Sequence, residues 1–520
     1  MKQRSNLYKI HKYWGKKPAG DLRALIEHYS EEGDTVLDPF AGYGVFGCEA
    51  FLLNRNVVLN DLNPFAHFLH QQLLARDVSL DVLQSQWVKI KAELSPYIDR
   101  WYQWDINGER HTLTTILRAR DDVPIKARYV CATQSKRALE IDLCQDAAER
   151  YLAFEAREVI EDWYPTDELI QNSRISAKSG MCVCDLFTKR TLACHARLFA
   201  LIHTYSSGRE LDLFKVAFTA NLANCSKLVP PIKSRGPMSP GAWMTGFYIG
   251  ETYLENNVAL YFVNRLKKLI KGKAEFLSHF ESDRALKASE NTRQNHFIAL
   301  QDDAKSLSLD DDSVDFVFAD PPYGDTVPYF EQSIIWNSWL SFRPDYEREI
   351  VITDSKMRAQ DQARYDVDIH SAFAEVSRVL KKDRVFSLTY HSLSGLEWRS
   401  ITNACLFNGF ELIDFQWLVQ KSFTPRQINR LKSVKGDVLV TFKNTKTQPS
   451  LTAMTDREVE ALFIAKITQW VTEESVDLNE ILLRVMKTVF TEKIIISDLN
   501  VLRVVTRNFQ VLDDQTWALR

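Results

Sequence analysis

The sequence is poor in several features that would identify its class at once. Its 520 residues contain eight cysteines, too few for a disulfide scaffold in a chain of this length. They lack the paired spacing of a zinc site, so we expect reduced thiols and no metal. No apolar run approaches the ~20 residues of a membrane helix, and the first residues lack the apolar stretch of a signal peptide. We therefore expect a soluble protein of the cytoplasm.

An excess of charge of one sign is also absent. Lys and Arg total 65, Asp and Glu total 68, and the formal net charge is -3. This balance excludes an acidic tail protein, a disordered chain and a histone-like polycation. It does not exclude a nucleic-acid-binding protein, because a local basic face is enough for that function.

The sequence does contain a series of short apolar runs rich in β-branched residues. Several are continuously hydrophobic, which is typical of strands covered on both faces, and helical patterns lie between most of them. These features predict an α/β fold with a Rossmann-like, doubly wound sheet. The seven predicted strands are residues 35–40, 56–62, 296–302, 315–320, 384–390, 410–417 and 437–442. No clear helix separates the last two strands, which indicates an antiparallel pair at the sheet edge.

The spacing of the strands predicts how the chain is divided. About 230 residues separate the second strand from the third, where one helix would suffice, so they must form an insert. We predict the first half of one domain at residues 1–75, a mostly helical insert at 76–290 and the second half at 291–445. A small module at 446–520 is expected to be helical or winged-helix-like, with a packing appendage as the alternative.

A glycine turn follows the first predicted strand. Gly42 and Gly44 allow a tight turn and a close backbone approach to a ligand, and the helix predicted to begin near Val45 offers free N–H groups at its positive end. Asp61, at the tip of the second strand, is placed to accept hydrogen bonds from ribose hydroxyls. The combination indicates a nucleoside cofactor, whereas the glycines alone would also suit a plain tight turn.

The glycines also satisfy the dinucleotide-binding pattern G-x-G-x-x-G, with Gly47 as the third glycine. The residues before them argue against that alternative. Asp38 and Pro39 put a carboxylate at the turn, where it would repel a pyrophosphate but attract the ammonium group of a methionine.

A second motif, Asp320-Pro321-Pro322-Tyr323, stands at the tip of the fourth predicted strand. Its two prolines remove two backbone donors and fix φ, so the strand cannot simply continue. The segment presents carbonyl groups beside one carboxylate and one aromatic ring. A Pro-Pro turn with a structural tyrosine is the alternative, but the position at the carboxyl end of a parallel strand favours a binding site.

These groups suit methylation of an exocyclic amine. The amino nitrogen of adenine or cytosine is a poor nucleophile, because its lone pair is delocalised into the ring. Hydrogen bonds from its two N–H groups to Asp320 and to the Pro321 carbonyl favour a pyramidal nitrogen whose lone pair can point at a methyl group. Tyr323 can stack on a base that has left its helix. The reaction requires no metal.

The two motifs resemble those of the amino-group (D-P-P-Y) S-adenosylmethionine-dependent DNA methyltransferases. The insert between them resembles that of large bacterial adenine-specific DNA methylases. This resemblance implies a seven-stranded methyltransferase sheet, S-adenosylmethionine as cofactor, and duplex DNA with a flipped base as partner. It also implies a restriction or defence-system protein as a further partner.

The resemblance also implies roles for individual residues. Asp61 holds the ribose, and Asp303 accepts a hydrogen bond from the adenine amino group, with a helix N-cap as the alternative for Asp303. The methionine part lies along Asp38, Pro39, Phe40, Gly42 and Gly44. A basic, aromatic segment near the start of the chain resembles the family segment that closes over the methionine end, although an ordered cap on the sheet would also explain it. The residues predicted there are His11, Lys12, Tyr13, Trp14, Lys17 and Pro18.

Basic residues cluster in two stretches of the chain. Residues 227–273 contain eight basic and two acidic residues, and residues 421–435 contain five basic and no acidic ones. Such stretches suit contacts with phosphates, although a solvated helix face explains residues 267–273 equally well. The residues predicted to contact DNA are Arg190, Lys227, Lys233 and Arg235.

The leading hypothesis is a site-specific DNA methyltransferase that modifies the N6 amino group of adenine, since aspartate before Pro-Pro-Tyr favours adenine. A cytosine-N4 DNA enzyme is one alternative. An RNA amino methyltransferase is another, because D-P-P-Y completed by Gly324 also resembles guanine-N2 tRNA enzymes, which usually lack a large insert. A non-catalytic DNA-binding subunit of a defence complex is the third, and the intact motif argues against it.

Overall fold

An open, mostly parallel sheet surrounded by helices organises the chain. The computed structural model describes residues 6–106, 108–130, 138–286, 295–390, 396–418, 437–447, 450–497, 500–512 and 516–520. Its strands are β1 (Thr35–Asp38), β2 (Asn56–Asn60), β3 (Gln103–Ile106), β4 (Glu109–Ala119), β5 (Pro124–Val130), β6 (Ala138–Asp142), β7 (Thr252–Asn256), β8 (Phe297–Leu300), β9 (Val314–Ala319), β10 (Leu380–Tyr390), β11 (Phe410–Leu418), β12 (Asp437–Asn444), β13 (Phe509–Val511) and β14 (Trp517–Leu519). Its α-helices are α1 (Ala19–Tyr29), α2 (Val45–Leu52), α3 (Pro64–Leu74), α4 (Leu80–Tyr102), α5 (Gln145–Arg157), α6 (Lys189–Tyr205), α7 (Gly208–Leu222), α8 (Val258–Leu286), α9 (Tyr329–Asn337), α10 (Gln362–Val379), α11 (Leu396–Phe407), α12 (Asp456–Glu473), α13 (Leu478–Glu492) and α14 (Val501–Asn508).

Seven strands form the main sheet in the order β11-β12-β10-β9-β1-β2-β8. The five strands from β10 to β8 are parallel, and β12 runs antiparallel between β10 and β11. This arrangement confirms the predicted α/β sheet, its seven strands and the antiparallel pairing at one edge. The strand order reverses between β1 and β9, and the carboxyl ends of strands at such a switch point border a crevice in which open α/β sheets bind ligands.

The central strands explain why the sheet could be predicted. All six residues of β9 are buried, and so are Val36 and Leu37 of β1. Strands covered by helices on both faces must be apolar at every position, which leaves a continuous hydrophobic run in the sequence. The helix predicted to begin near Val45 corresponds to α2.

A second sheet, which was not predicted, lies between β2 and β8. Strands β3, β4, β5 and β6 form it with β7 paired to β4, and all pairs are antiparallel. Helices α4 to α8 account for the predicted helical character of this region. The strands escaped prediction because they mix apolar with polar residues. In β4, Leu113 and Thr115 are buried, whereas Thr112 and Thr114 are only partly buried. An alternating pattern is typical of a sheet with one solvated face.

Two apolar clusters connect these parts. One joins Phe46 and Phe65 beside the main sheet to Phe218 of the second region. The other joins Val317 of β9, on the opposite side, to Phe490 of α13. The region between β2 and β8 and the C-terminal segment therefore each share an apolar core with the main sheet. No helix within the described ranges is long and apolar enough to cross a bilayer.

The C-terminal segment consists of α12, α13 and α14 followed by the hairpin β13–β14. Asp477, between α12 and α13, forms an isolated antiparallel β-bridge with Thr516, the residue before β14. A short break at residues 474–477 separates α12 from α13. Phe490 of α13 contacts Phe415 and Phe442, with ring centroids 6.4 and 5.0 Å away, and so packs this segment on β11 and β12.

Removing this contact should destabilise the protein. We expect Phe490→Ala to lower the free energy of unfolding by about 3–5 kcal/mol, because a buried aromatic side chain leaves a cavity when it is truncated. Phe407→Ala is the control, since Phe407 is 40% exposed, and its effect should be much smaller. Chemical denaturation followed by tryptophan fluorescence measures both, and equal losses would contradict the assigned packing.

Candidate active site

A cavity opens at the carboxyl ends of β1, β2 and β9, where the glycine turn, the segment before α1 and the Asp320 motif meet. Eleven of the predicted catalytic and cofactor residues line it: Tyr13, Trp14, Lys17, Asp38, Pro39, Phe40, Gly42, Asp61, Asp303, Asp320 and Pro322. Six others lie outside the lining: His11, Lys12, Pro18, Gly44, Pro321 and Tyr323. Segments that are far apart in the sequence thus share one concave surface.

The turn between β1 and α2 depends on glycine. Gly42 and Gly44 have φ angles of 51° and 86°, in the left-handed region that other residues rarely adopt. A Cβ on Gly44 would lie 2.9 Å from the His70 ring. Gly47 serves a different purpose, because a Cβ there would lie 2.5 Å from Leu59, so this glycine lets α2 pack closely on β2.

Asp61 anchors this turn. Its Oδ2 accepts a hydrogen bond from the Gly42 amide at 2.8 Å, and its Oδ1 accepts one from the Asn63 amide at 2.9 Å. Burial raises the pKa of Asp61 to about 6, although the two amides act in the opposite direction. Each carboxylate oxygen can accept more than one hydrogen bond, so capacity for a ligand hydroxyl remains.

Asp38 adds a second buried carboxylate. It is 3% exposed, and its Oδ1 accepts a hydrogen bond from the Phe40 amide at 3.1 Å. Burial raises the pKa of Asp38 well above its usual range, and the nearby carboxylates of Asp320 and Asp61 raise it further. Three carboxylates that face one cavity favour a ligand that carries positive charge.

Asp303 follows β8, and the Asp320 motif follows β9. Because β1 and β2 lie between these two strands, Asp303 lines the opposite side of the cavity from the motif. Its Oδ1 accepts a hydrogen bond from the Lys305 amide at 3.0 Å, and Lys305 Nζ lies 3.4 Å from its Oδ2. The chain forms a turn here, and no helix begins between residues 303 and 313, all of which the structure describes. The alternative prediction of a helix N-cap was therefore wrong.

The carboxylate of Asp320 is held through one of its two oxygens. Oδ1 accepts hydrogen bonds from Thr389 Oγ1 at 2.6 Å and from the Tyr323 hydroxyl at 2.9 Å, and Lys17 Nζ lies 3.1 Å away. Oδ2 lies against Gly15 and makes no hydrogen bond within the described part of the chain. One oxygen therefore remains available to a ligand.

The rest of the motif is also anchored. The hydroxyl of Tyr365 donates to the Pro322 carbonyl at 2.6 Å, and the hydroxyl of Tyr323 donates to the carbonyl of Thr389 as well as to Asp320. Among the described residues, the Pro321 carbonyl has no hydrogen-bond donor, which fits its predicted use by a substrate amine. The Tyr323 ring is half-buried, and its stacking on a base stays a prediction.

An aromatic layer covers the cavity from the segment before α1. Tyr13 stacks on Tyr329 with ring centroids 6.3 Å apart and an interplanar angle of 18°. Tyr13 and Trp14 both pack on Trp336 of α9, at 6.2 and 5.0 Å. Lys12 lies 4.2 Å above the ring of Trp243, which connects this layer to the region between β2 and β8.

Two predicted cofactor residues of this segment have other contacts. The ring of His11 lies 4.8 Å from Phe65 and from Trp336, and burial lowers the pKa of His11 to about 3, so the imidazole is a neutral core group. Pro18 occupies the N-cap position of α1. The structure does not bring either residue to the cavity.

Several lining residues carried no recognisable signal in the sequence. They lie after α9, in irregular structure, and are Arg348, Glu349 and Ile350. The Glu349 carboxylate lies 2.6 Å from Arg358, which also pairs with Glu331 at 2.5 Å. Burial raises the pKa of Glu349 to about 8, with Arg358 acting against this shift and Glu331 adding to it.

One of the predicted DNA contacts is corrected by the structure. Arg190 is 1% exposed, because it stacks 4.3 Å from the Tyr151 ring and pairs with Glu155 and Glu255 inside the fold. A side chain so buried cannot reach a phosphate. Lys227 is 15% exposed and pairs with Asp122 at 2.8 Å, and its contact with DNA stays a prediction.

The remaining basic residues differ in exposure. Lys233 and Arg235 lie in one 3-10 turn, and Arg235 is exposed. Lys273 instead is 1% exposed, and its Nζ donates to three carbonyls at the end of α3, at 2.6 to 3.1 Å. It is a helix cap rather than a phosphate contact. The basic stretch at residues 421–435 lies outside the described residues.

Comparisons with known proteins give one family match. A family model described as a DNA methylase, of the N6/N4 amino-methyltransferase type, matches residues 2–71. The matched segment contains Tyr13 and Trp14 of the aromatic layer, the glycine turn and Asp61, and the match supports a methyltransferase of the amino-group type. No curated protein matches the chain at a significant level.

Two solved structures show a distant likeness. One is a complex of the Haloferax volcanii Trm112 methyltransferase activator with a methyltransferase; the identity is 14%, the match covers 31% of this chain and 67% of that one, and the TM-score is 0.17. The other is geranyl diphosphate C-methyltransferase from Streptomyces coelicolor A3(2) with Mg2+, geranyl diphosphate and S-adenosyl-L-homocysteine; the identity is 8%, the coverage 57% and 97%, and the TM-score 0.17.

The geometry of the turn predicts the effect of a small substitution. We expect Gly44→Ala to lower the free energy of unfolding by about 1–3 kcal/mol, because alanine is strained at positive φ and its methyl group would press on His70. Gly20→Ala is the matched control, since no atom lies within 4 Å of its Cβ position in α1. It should stabilise the helix by about 0.5–1 kcal/mol. Thermal melting checks both, and an unchanged melting temperature for Gly44→Ala would contradict this account.

Proposed function

We propose that the protein is a DNA amino-methyltransferase that transfers a methyl group from S-adenosylmethionine to the N6 amino group of a flipped adenine. The observation that carries the proposal is the shared cavity of the glycine turn and the Asp320 motif. Its lining combines groups suited to a nucleoside with one free carboxylate oxygen at Asp320. The family match to the first of these parts supports the same chemistry.

The residues of the cavity fit this cofactor. S-adenosylmethionine carries an ammonium and a sulfonium group, and the buried carboxylates of Asp38 and Asp61 favour positive charge. Gly42 presents backbone without a side chain, since a Cβ there would lie 3.2 Å from the Tyr13 ring. Asp61 and Asp303 retain acceptor capacity for the ribose and the adenine amino group. When bound, the cofactor supplies an electrophilic methyl group.

The Asp320 motif would act on the target amine by hydrogen bonding. Oδ2 of Asp320 and the carbonyl of Pro321 are two acceptors without donors in the described structure, and an exocyclic amine has two N–H groups. Accepting both would orient the nitrogen lone pair toward the methyl group. The Asp320 carboxylate would also stabilise the positive charge that grows on nitrogen as the bond forms.

Cytosine N4 is the second candidate target. The matched family model includes both N6 and N4 enzymes, and the two amines need the same pair of acceptors. Duplex DNA is the proposed substrate, and a restriction or defence-system protein is a proposed partner. Arg235 is exposed and is the candidate for a contact with a DNA phosphate.

Methyl transfer tests this function directly. The purified protein is incubated with labelled S-adenosylmethionine and duplex DNA, single-stranded DNA or tRNA, and the nucleosides are analysed. We expect N6-methyladenine in duplex DNA, whereas N4-methylcytosine would favour the second candidate. Label confined to RNA, or no label on any nucleic acid, would contradict the proposal.

The role of Asp320 can be tested with a matched pair of variants. Asp320→Asn should reduce the transfer rate at least about 100-fold, because it removes the charge that stabilises the transition state. Its affinity for S-adenosylhomocysteine, measured by calorimetry, should change little. Asp311→Asn is the control, since Asp311 is 75% exposed and pairs with Arg378 away from the cavity. Full activity of Asp320→Asn would disprove the proposed site.

The proposed phosphate contact predicts a salt-dependent effect. Arg235→Gln should weaken DNA binding and lower the slope of log affinity against log salt by about one. Lys381→Gln is the control, because Lys381 pairs with Asp315 near the amino ends of the strands, opposite the cavity. Fluorescence anisotropy across a salt series compares the two, and equal slopes would remove Arg235 from the interface.

A further inference from the structure

Lys17 joins two carboxylates at the edge of the cavity. Its Nζ lies 3.1 Å from Asp320 Oδ1 and 2.9 Å from Asp437 Oδ2. The three side chains are only 9%, 19% and 6% exposed, in the order Lys17, Asp320 and Asp437. They form a largely buried carboxylate–ammonium–carboxylate group with a net charge of one negative unit.

The strand order explains how Asp437 reaches this group. Parallel strands β9 and β10 end at the cavity, and β12 pairs with β10 in the antiparallel sense, with Val438 opposite Tyr390. An antiparallel strand begins at the edge where its parallel neighbours end. Asp437 is the first residue of β12, so it lies at the cavity edge of the sheet, next to the end of β10 and one strand away from the end of β9.

The contacts of Asp320 are unequally divided between its oxygens. Oδ1 faces Lys17, Thr389 and the Tyr323 hydroxyl at 2.6 to 3.1 Å. These partners belong to three different segments, so together they fix the direction of the carboxylate plane. Oδ2 is left beside Gly15 at the wall of the cavity.

We propose that Lys17 and Asp437 are positioning residues for Asp320. Lys17 holds Oδ1 so that Oδ2 faces the target amine, and Asp437 holds Lys17 in place. This inference rests on the proposed methyl transfer and makes it more specific. It assigns Lys17 to the catalytic carboxylate rather than to the cofactor, and it adds Asp437, which no sequence motif marks.

The charges around Asp320 show why a cation is needed there. Burial alone would lower the pKa of Lys17, but the carboxylates of Asp320 and Asp437 raise it above its ordinary value, so the ammonium stays charged. Asp38 and the hydroxyls of Tyr323 and Tyr329 also face Asp320. Without Lys17, the Asp320 carboxylate would lose the one ion pair that it makes within the described ranges, while the like charge of Asp38 would remain nearby.

Lys17→Met tests the first half of the inference. We expect kcat to fall about tenfold to hundredfold, the effect of losing a hydrogen bond to a charged group, with little change in the KM for S-adenosylmethionine. Lys17→Arg restores a cation and should recover much of the rate.

Asp437→Asn tests the second half. It removes the charge that anchors Lys17 but keeps the ammonium group itself, so Lys17 should hold Asp320 less firmly and kcat should fall about threefold to tenfold. Because Asp437 acts through Lys17, Lys17→Met combined with Asp437→Asn should lose no more than Lys17→Met alone. Asp383→Asn is the matched control. Asp383 of β10 pairs with Lys443 of β12 at 2.9 Å and is 55% exposed, so this variant should keep full kcat.

The outcomes separate this inference from the function on which it rests. An active wild type together with an unchanged kcat in Lys17→Met and Asp437→Asn would overturn the inference alone. The same holds if Lys17→Met loses cofactor affinity while kcat is kept, or if the losses of the two single variants multiply in the double variant. A wild type that methylates no nucleic acid would overturn both. Melting temperatures of all variants show that each one is folded.

Discussion

The parallel pairing of β1 with β9 is the constraint on which the site depends. Val36 pairs with Phe316 and Leu37 with Val317, although about 280 residues separate the two strands in the sequence. Since the strands point the same way, the turn after Asp38 and the Asp320 motif emerge at one edge of the sheet. The long region between them leaves from β2 and returns at β8, which are themselves neighbours, so its length does not disturb the pairing.

Electrostatics then decides what the shared edge can hold. The strand ends bring Asp38, Asp61 and Asp320 to one cavity, and burial there raises the pKa values of Asp38 and Asp61. The fold compensates with backbone amides at Asp61 and with the Lys17 ammonium at Asp320. A cavity of this kind favours cationic ligands and leaves one carboxylate oxygen for an amine.

In the region between β2 and β8, folding decides which basic side chains are exposed to solvent and which are buried. Arg190 was predicted to contact DNA and Lys273 belongs to a basic stretch that suits a nucleic-acid surface. Arg190 instead lies inside an ion-pair network, and Lys273 caps α3. Both side chains are 1% exposed. Exposed positions such as Arg235 are therefore the ones that can meet a phosphate.

Local restrictions let the sequence by itself determine the main sheet and the two motifs. Strands buried on both faces are largely apolar. Gly42 and Gly44 permit backbone angles that other residues rarely adopt, and the prolines after Asp320 restrict φ. The second sheet left only a weak alternating pattern, and Asp437 left none. The burial of Arg190 and the contact of Lys17 with Asp320 and Asp437 were decided by the tertiary structure alone, because both depend on which distant strands become neighbours.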